Sequence, residues 1–65
     1  MQPKTKQRLL QAYVELQQTA AMLYEAVQEA ADDGNDFDAI LLEARADKIF
    51  EEAENINTII SEMEE

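Results

Sequence analysis

Apolar and small side chains recur along this chain at alternating steps of four and three residues, and the pattern is interrupted once. Before the interruption it runs through Leu9, Tyr13, Leu16, Ala20, Leu23, Val27 and Ala30. After it, the same steps run through Ala39, Leu42, Ala46, Ile49, Ala53, Ile56, Ile60 and Met63. This spacing is typical of a helix that packs lengthwise against another helix. The sequence therefore predicts an all-α fold made of two helices.

The interruption, residues 32–36, is where the chain is predicted to reverse. Gly34 is the only glycine, and it can adopt the left-handed conformation that follows many helix ends. Asn35 or Asp36 is suited to cap the second helix, and Asp36 and Asp38 favour its positive end. We expect Phe37 to fill the tip of the hairpin.

The first helix is expected to begin between Pro3 and Thr5. Pro3 has the fixed dihedral that suits a first turn, and Thr5 offers a side-chain oxygen as an alternative cap. No glycine or proline interrupts either predicted helix. We therefore predict an antiparallel two-helix hairpin, with helices at about 4–32 and 36–63, as a single domain over residues 1–65.

Reversal near Gly34 predicts a register in which the numbers of facing residues add to about 69. In three consecutive layers a large side chain then faces a small one, as a close-packed interior requires. The expected pairs are Val27 with Leu42, Leu23 with Ala46, Ala20 with Ile49, Leu16 with Ala53, Tyr13 with Ile56, and Leu9 with Ile60. Lys4 comes level with Glu65 and Arg8 with Glu62, so opposite charges also meet.

Several side chains flank this seam and would stay in contact with water in a lone hairpin. On the first helix they are the small residues Ala12, Thr19 and Ala26 on one flank and Leu10 and Tyr24 on the other, joined on the second helix by Phe50, Ile59 and, near the tip, Ile40 and Leu41. Two copies packed as a four-helix bundle would cover them, and so would an obligate different partner. Scattered apolar surface residues that need no cover are a third interpretation. We expect a homodimer, with Leu10, Ala12, Thr19, Tyr24, Ala26, Phe50 and Ile59 at the dimer or partner interface.

Chain length and residue usage also favour association. A core built from 65 residues supplies only a few kcal/mol, so chains of this size usually need further support. Cysteine and histidine are both absent, which excludes disulfides and the usual zinc sites. No long apolar run or leader pattern is present, so we expect a cytoplasmic protein that does not enter a membrane.

Catalytic and metal-binding patterns are missing as well. Without histidine or cysteine there is no usual general base or thiol nucleophile, and the one serine, Ser61, has no base near it in sequence. Residues 32–43 resemble a calcium loop in length, but Gly34 occupies its third position and Phe37 its sixth, where the loop needs glycine. We expect no enzyme activity, no catalytic residues, no cofactor and no metal.

Charge is the remaining signal. The net charge is −10, and the cations Lys4, Lys6 and Arg8 are all in the first eight residues. A row of acids recurs near once per turn on the second helix, with Thr58 in a gap: Glu43, Asp47, Glu51, Glu54, Glu62 and Glu65. Such a field repels nucleic acid and anionic membranes and favours basic partners. The row could also imitate a phosphate backbone and occupy the basic groove of a DNA- or RNA-binding protein.

The predicted hairpin is similar in topology to the Rop-type plasmid copy-number regulators and to the short helical chaperones of type III secretion. That resemblance covers the whole chain as architecture. It implies either RNA binding, for which Lys4, Gln11, Gln18 and Glu25 form the solvent side of the first helix, or a chaperone-like adaptor. Only three cations support RNA affinity on this helix, so direct nucleic-acid binding is not expected. The sequence favours a small acidic interaction module that regulates or inhibits a larger protein. Small acidic proteins of this type are frequent in phages and mobile elements, which is a general association and does not follow from these residues.

Overall fold

The chain folds into two antiparallel helices that pack against each other along their length. A computed structural model describes residues 1–63; the predicted positions of Glu64 and Glu65, including the pairing of Lys4 with Glu65, lie outside the described residues. Helix α1 spans Pro3–Asp32 and helix α2 spans Asp36–Met63. Both predicted helices, and the hairpin they form, are confirmed, with the first beginning one residue earlier than expected.

The turn between the helices is closed by backbone hydrogen bonds at the end of α1. The Gly34 N–H donates to the Ala31 carbonyl over 3.1 Å, and the Asn35 N–H donates to the Ala30 carbonyl over 2.8 Å. Gly34 has φ +80°, the left-handed conformation that this helix-ending motif needs. The two bonds satisfy carbonyls that the end of a helix would otherwise leave without partners.

The start of each helix is simpler than the sequence suggested. Pro3 occupies the first turn of α1, and the residue before it, Gln2, makes no side-chain capping hydrogen bond. The alternative cap was wrong, because Thr5 lies inside the helix. At α2 the Asn35 carbonyl accepts the Ala39 N–H over 3.0 Å, and Asp36 and Asp38 occupy the first turn as expected.

The core of the hairpin is thin, because each helix has only one neighbour. Among the described residues the buried hydrophobic side chains are Ala20, Ala39, Ala46, Ala53 and Ile60, and no large side chain is fully buried. Every residue of the predicted seam from Leu9 to Ile60 is buried or half-buried, whereas Met63 at the end of the pattern is exposed. The large seam residues therefore cover the alanines while remaining half open to solvent themselves.

The tip of the hairpin is open. Phe37 is 73% exposed, so the expectation that it fills the tip was wrong. As the second residue of α2 it follows the turn on the outer side of the helix, away from the seam positions Ala39 and Leu42. A shallow depression of about 350 Å³ remains there, lined by Ala30, Asp38, Leu41 and Leu42.

Candidate interaction surface

One side-chain hydrogen bond between the helices defines which flanks lie together. The Tyr24 hydroxyl donates to Oδ1 of Asp47. Those two residue numbers add to 71, close to the predicted register of about 69. Tyr24 belongs to an apolar flank of α1 and Asp47 to the acidic row of α2, so the structure joins two surfaces that the sequence left separate.

The hydrogen bond also changes the acidity of the phenol. The pKa of Tyr24 is raised above its ordinary 10.0, first by the hydrogen bond to Asp47, then by desolvation, and then by the negative charges of Asp47 and Glu43. Each effect disfavours the phenolate: ionisation removes the proton that Tyr24 donates to Asp47, desolvation destabilises an anion, and the neighbouring carboxylates repel one. Tyr24 therefore stays a neutral hydrogen-bond donor at neutral pH.

Helical spacing places further apolar residues on the same side of the hairpin. Phe50 follows Asp47 by three residues and Glu43 by seven, so it lies on the α2 flank that Tyr24 contacts. On α1, Leu10 precedes Tyr24 by two heptads. Both side chains are exposed, Leu10 by 41% and Phe50 by 45%. We call this side the Tyr24 face; it consists of Leu10, Val14, Gln17, Tyr24 and Phe50.

Gln17 is a member of this face that sequence reasoning missed. It is half-buried, and its Nε2 donates to the Tyr13 hydroxyl over 2.9 Å. Its position one heptad before Tyr24 and one after Leu10 was the signal that could have identified it. The bond ties the middle of the Tyr24 face to a seam residue.

The remaining interface residues of the prediction lie on the opposite side. Ile59 follows Phe50 by nine residues, which is half a turn away around α2, and it is 46% exposed. On α1, Ala12 and Ala26 are half-buried while Thr19 between them is exposed. The Thr19 hydroxyl donates to the Glu15 carbonyl over 2.9 Å. The predicted interface is thus divided between two faces.

The acidic row follows α2 outward from the Tyr24 face. Glu43 and Asp47 lie beside Tyr24, and Glu51, Glu54 and Glu62 continue the row, all of them exposed. Thr58 fills the gap in it, and its hydroxyl donates to the Glu54 carbonyl over 3.0 Å. Glu65, the last predicted member, lies outside the described residues.

Two other findings concern residues 1–63. No group of three or more acidic side chains in this part of the chain is placed to hold a metal ion. Neither helix, within the same range, has an apolar stretch long enough to cross a membrane.

Comparison with known proteins gives no relative to extend these observations. No protein-family model matches the chain, and no curated protein and no solved structure matches it either.

Proposed function

We propose that this chain is a non-enzymatic interaction module that acts as a homodimer and regulates or inhibits a larger, basic protein by binding it. One observation carries the proposal. The hydrogen bond from Tyr24 to Asp47 places the exposed apolar residues of the Tyr24 face next to the acidic row of α2. Recognition of another protein is what such a surface can do.

The thin core supports the homodimer. Four of the five buried residues are alanines, which contribute little apolar area each, and most of the large seam residues are only half-buried. An isolated hairpin of this size has little margin against the conformational entropy of the unfolded chain. A second copy would bury the Tyr24 face and so add the stability that a single hairpin lacks.

The acidic row supports a basic partner. Covering the Tyr24 face with a second copy leaves Glu51 and Glu62, which lie farther round α2, accessible on both copies. Carboxylates repeated along a helix would attract a cationic surface and speed encounter with it. The proposed binding should accordingly weaken as salt concentration rises.

A second candidate is a particular form of the same activity, nucleic-acid mimicry. The exposure of the whole described row along α2 favours it, since a mimic must present its charges in a line to enter a groove built for phosphates. If the captured protein binds DNA or RNA, added nucleic acid should displace the hairpin. If nucleic acid does not compete, mimicry is rejected and the proposal of a basic protein partner stands.

Capture from extracts of the source cell tests the proposal when it is paired with charge variants. Combining Glu51→Gln with Glu62→Gln should reduce capture at least several-fold while leaving helicity unchanged. The matched control combines Glu15→Gln with Glu29→Gln, which removes the same charge from exposed positions of α1. Equal loss in both variants would reduce the effect to net charge and overturn the role of the row. Sedimentation equilibrium tests the homodimer separately, because the expected mass is twice the 7.4 kDa of the chain.

A further inference from the structure

We propose that the second copy docks on the Tyr24 face in the antiparallel sense, so that the tip of each hairpin lies beside the open end of the other. This inference rests on the proposed homodimer and adds its orientation and its register. It follows from where the apolar residues lie along the face and from how charge is distributed between the two ends of the hairpin.

The α1 residues of the face are symmetric about its middle. Leu10 and Tyr24 lie seven residues to either side of Gln17, which is within one residue of the centre of Pro3–Asp32. An antiparallel second copy therefore sets Leu10 opposite Tyr24 of that copy, twice, and Gln17 opposite its own counterpart. Apolar side chains meet apolar side chains, and two amides that can hydrogen-bond each other meet at the symmetry axis.

Phe50 falls near the same axis. The register of the hairpin brings it level with about residues 19–21 of α1, a few residues from Gln17, so the two Phe50 rings approach each other at the centre of the dimer. A parallel second copy would set α1 against α2 instead. Leu10 would then meet the amide of Asn57, and Tyr24 would fall between Glu43 and Phe50. Only the antiparallel arrangement gives Leu10 an apolar partner.

The ends of the hairpin differ in charge, and the difference favours the same orientation. Residues 30–40 carry four carboxylates and no cation: Asp32, Asp33, Asp36 and Asp38. The other end joins the start of α1, which carries Lys4, Lys6 and Arg8, to the end of α2, which carries Glu62, so cations and acid are mixed there. Parallel docking would bring two tips together that carry only acids, whereas antiparallel docking places each tip beside an end where cations offset the acid.

The face is also large enough for a second copy. The hairpin measures 49 by 15 Å across its broad side. That footprint of about 700 Å² is close to the roughly 800 Å² per partner that stable interfaces bury. The apolar residues lie at its centre and the end charges at its rim, which is the usual arrangement of an interface.

Spin-label distances decide the orientation, because the chain has no cysteine and one introduced thiol labels one site per copy. Asn35→Cys places the label at the tip. We expect a distance close to the 49 Å length of the hairpin. Parallel docking would instead give one or two helix spacings, roughly 10–20 Å. The control, Gln18→Cys, lies at mid-height on the outer side of α1, where both orientations keep the two labels within a few helix spacings, so a dipolar coupling there reports association.

The distances at the two labelled sites separate the possible arrangements. A short tip-to-tip distance with the control distance present overturns the orientation and leaves the homodimer. Absence of dipolar coupling at both sites, with a monomeric mass, overturns the homodimer and this inference with it.

Two phenylalanine variants test which face is used. Phe50→Ala should raise the dissociation constant of the dimer about tenfold or more, because it removes an aromatic ring from the centre of the interface. Phe37→Ala removes the same ring from the tip, outside the face, and should change the constant little. Helicity measured at high protein concentration checks that both variants fold. Equal dissociation constants for the two folded variants would contradict docking on the Tyr24 face.

Discussion

Gly34 shows how one residue fixes the position of the turn. Its φ of +80° lies where side chains other than that of glycine are strained, yet a Cβ built on it would meet nothing within 4 Å. A substitution at Gly34 therefore costs free energy through backbone strain and not through a steric clash. The same residue supplies the N–H that bonds the Ala31 carbonyl, so its conformation and the end of α1 are linked.

We predict that Gly34→Ala lowers the free energy of unfolding by about 1 kcal/mol, the cost of holding an L-residue in the left-handed region. Gly34→Asn should lower it by less, because asparagine tolerates that region. Chemical denaturation at fixed protein concentration measures both. A destabilisation by asparagine as large as that by alanine would show that the dihedral is not the cause.

Tyr24 gives the chain a pH response in the alkaline range. Its folded-state pKa is raised above the ordinary 10.0, so the folded state holds the phenolic proton more tightly than the unfolded state does. The stability this contributes is complete below the unfolded pKa and is lost as pH rises through the folded pKa. The effect therefore lies above pH 10 and leaves neutral pH unaffected.

The prediction is a displaced tyrosinate titration. In a Tyr13→Phe background, where Tyr24 is the only phenol, tyrosinate absorbance should appear at higher pH in the folded protein than in denaturant. Adding Asp47→Asn should remove most of the displacement, because Asp47 is both the hydrogen-bond acceptor and a nearby charge. Glu43→Gln, the smaller contributor, is the control. A displacement that survives Asp47→Asn would assign it to desolvation instead.

At the scale of the helices, the seam works because small residues lie where the backbones approach. Ala46 is 0% exposed, whereas Ala44, two residues earlier on the same helix, is exposed. The two positions have the same residue type and nearly the same place in the chain, and they differ in which side of α2 they occupy. They form a matched pair for testing close packing.

We predict that Ala46→Leu lowers the free energy of unfolding by about 1–3 kcal/mol, because added methylenes in a filled layer force the helices apart. Ala44→Leu should change it by less than about 0.5 kcal/mol, since leucine and alanine are both good helix formers at an exposed site. Denaturant titration of both variants provides the comparison. Similar values for the two would mean that the helices are not packed closely at Ala46.

For the whole molecule, charge opposes the compact state. Fifteen acids against five bases leave a net charge of −10, and all of the acids lie after residue 14. Self-repulsion of this kind destabilises a folded chain and is screened by salt. The proposed dimer would carry twice this charge, so keeping its acidic tips apart would reduce the repulsion further.

Added salt is therefore predicted to raise the thermal midpoint up to roughly 0.5 M, where the Debye length falls to a few ångströms. Sodium chloride and potassium fluoride at equal ionic strength should act alike if screening is the cause. A fall in the midpoint with both salts would mean that attractive ion pairs outweigh repulsion.

The period of the apolar residues and the single glycine were enough to predict both helices and the turn. Spacing along one helix is a local property, and so is the freedom of Gly34 to take a positive φ, so both can be read without knowing the fold. The same period also predicts that the seam residues between Leu9 and Ile60 are buried or half-buried, as they are. The error at Thr5 concerned a helix end, where several residues could serve as the first turn.

The tertiary structure decided what depends on how the two helices are rotated against each other. The sequence offered two flanks on α1 and two on α2 without matching them. The bond from Tyr24 to Asp47 matches them, placing Phe50 with Leu10 and leaving Ile59 on the other side. Phe37 was misplaced for a related reason: one residue after the turn, its direction is set by the exit angle of α2. The sequence by itself determined the helices and where they reverse, because those are local; only the packed structure determined which side chains share a face, because that is a relation between residues more than twenty positions apart.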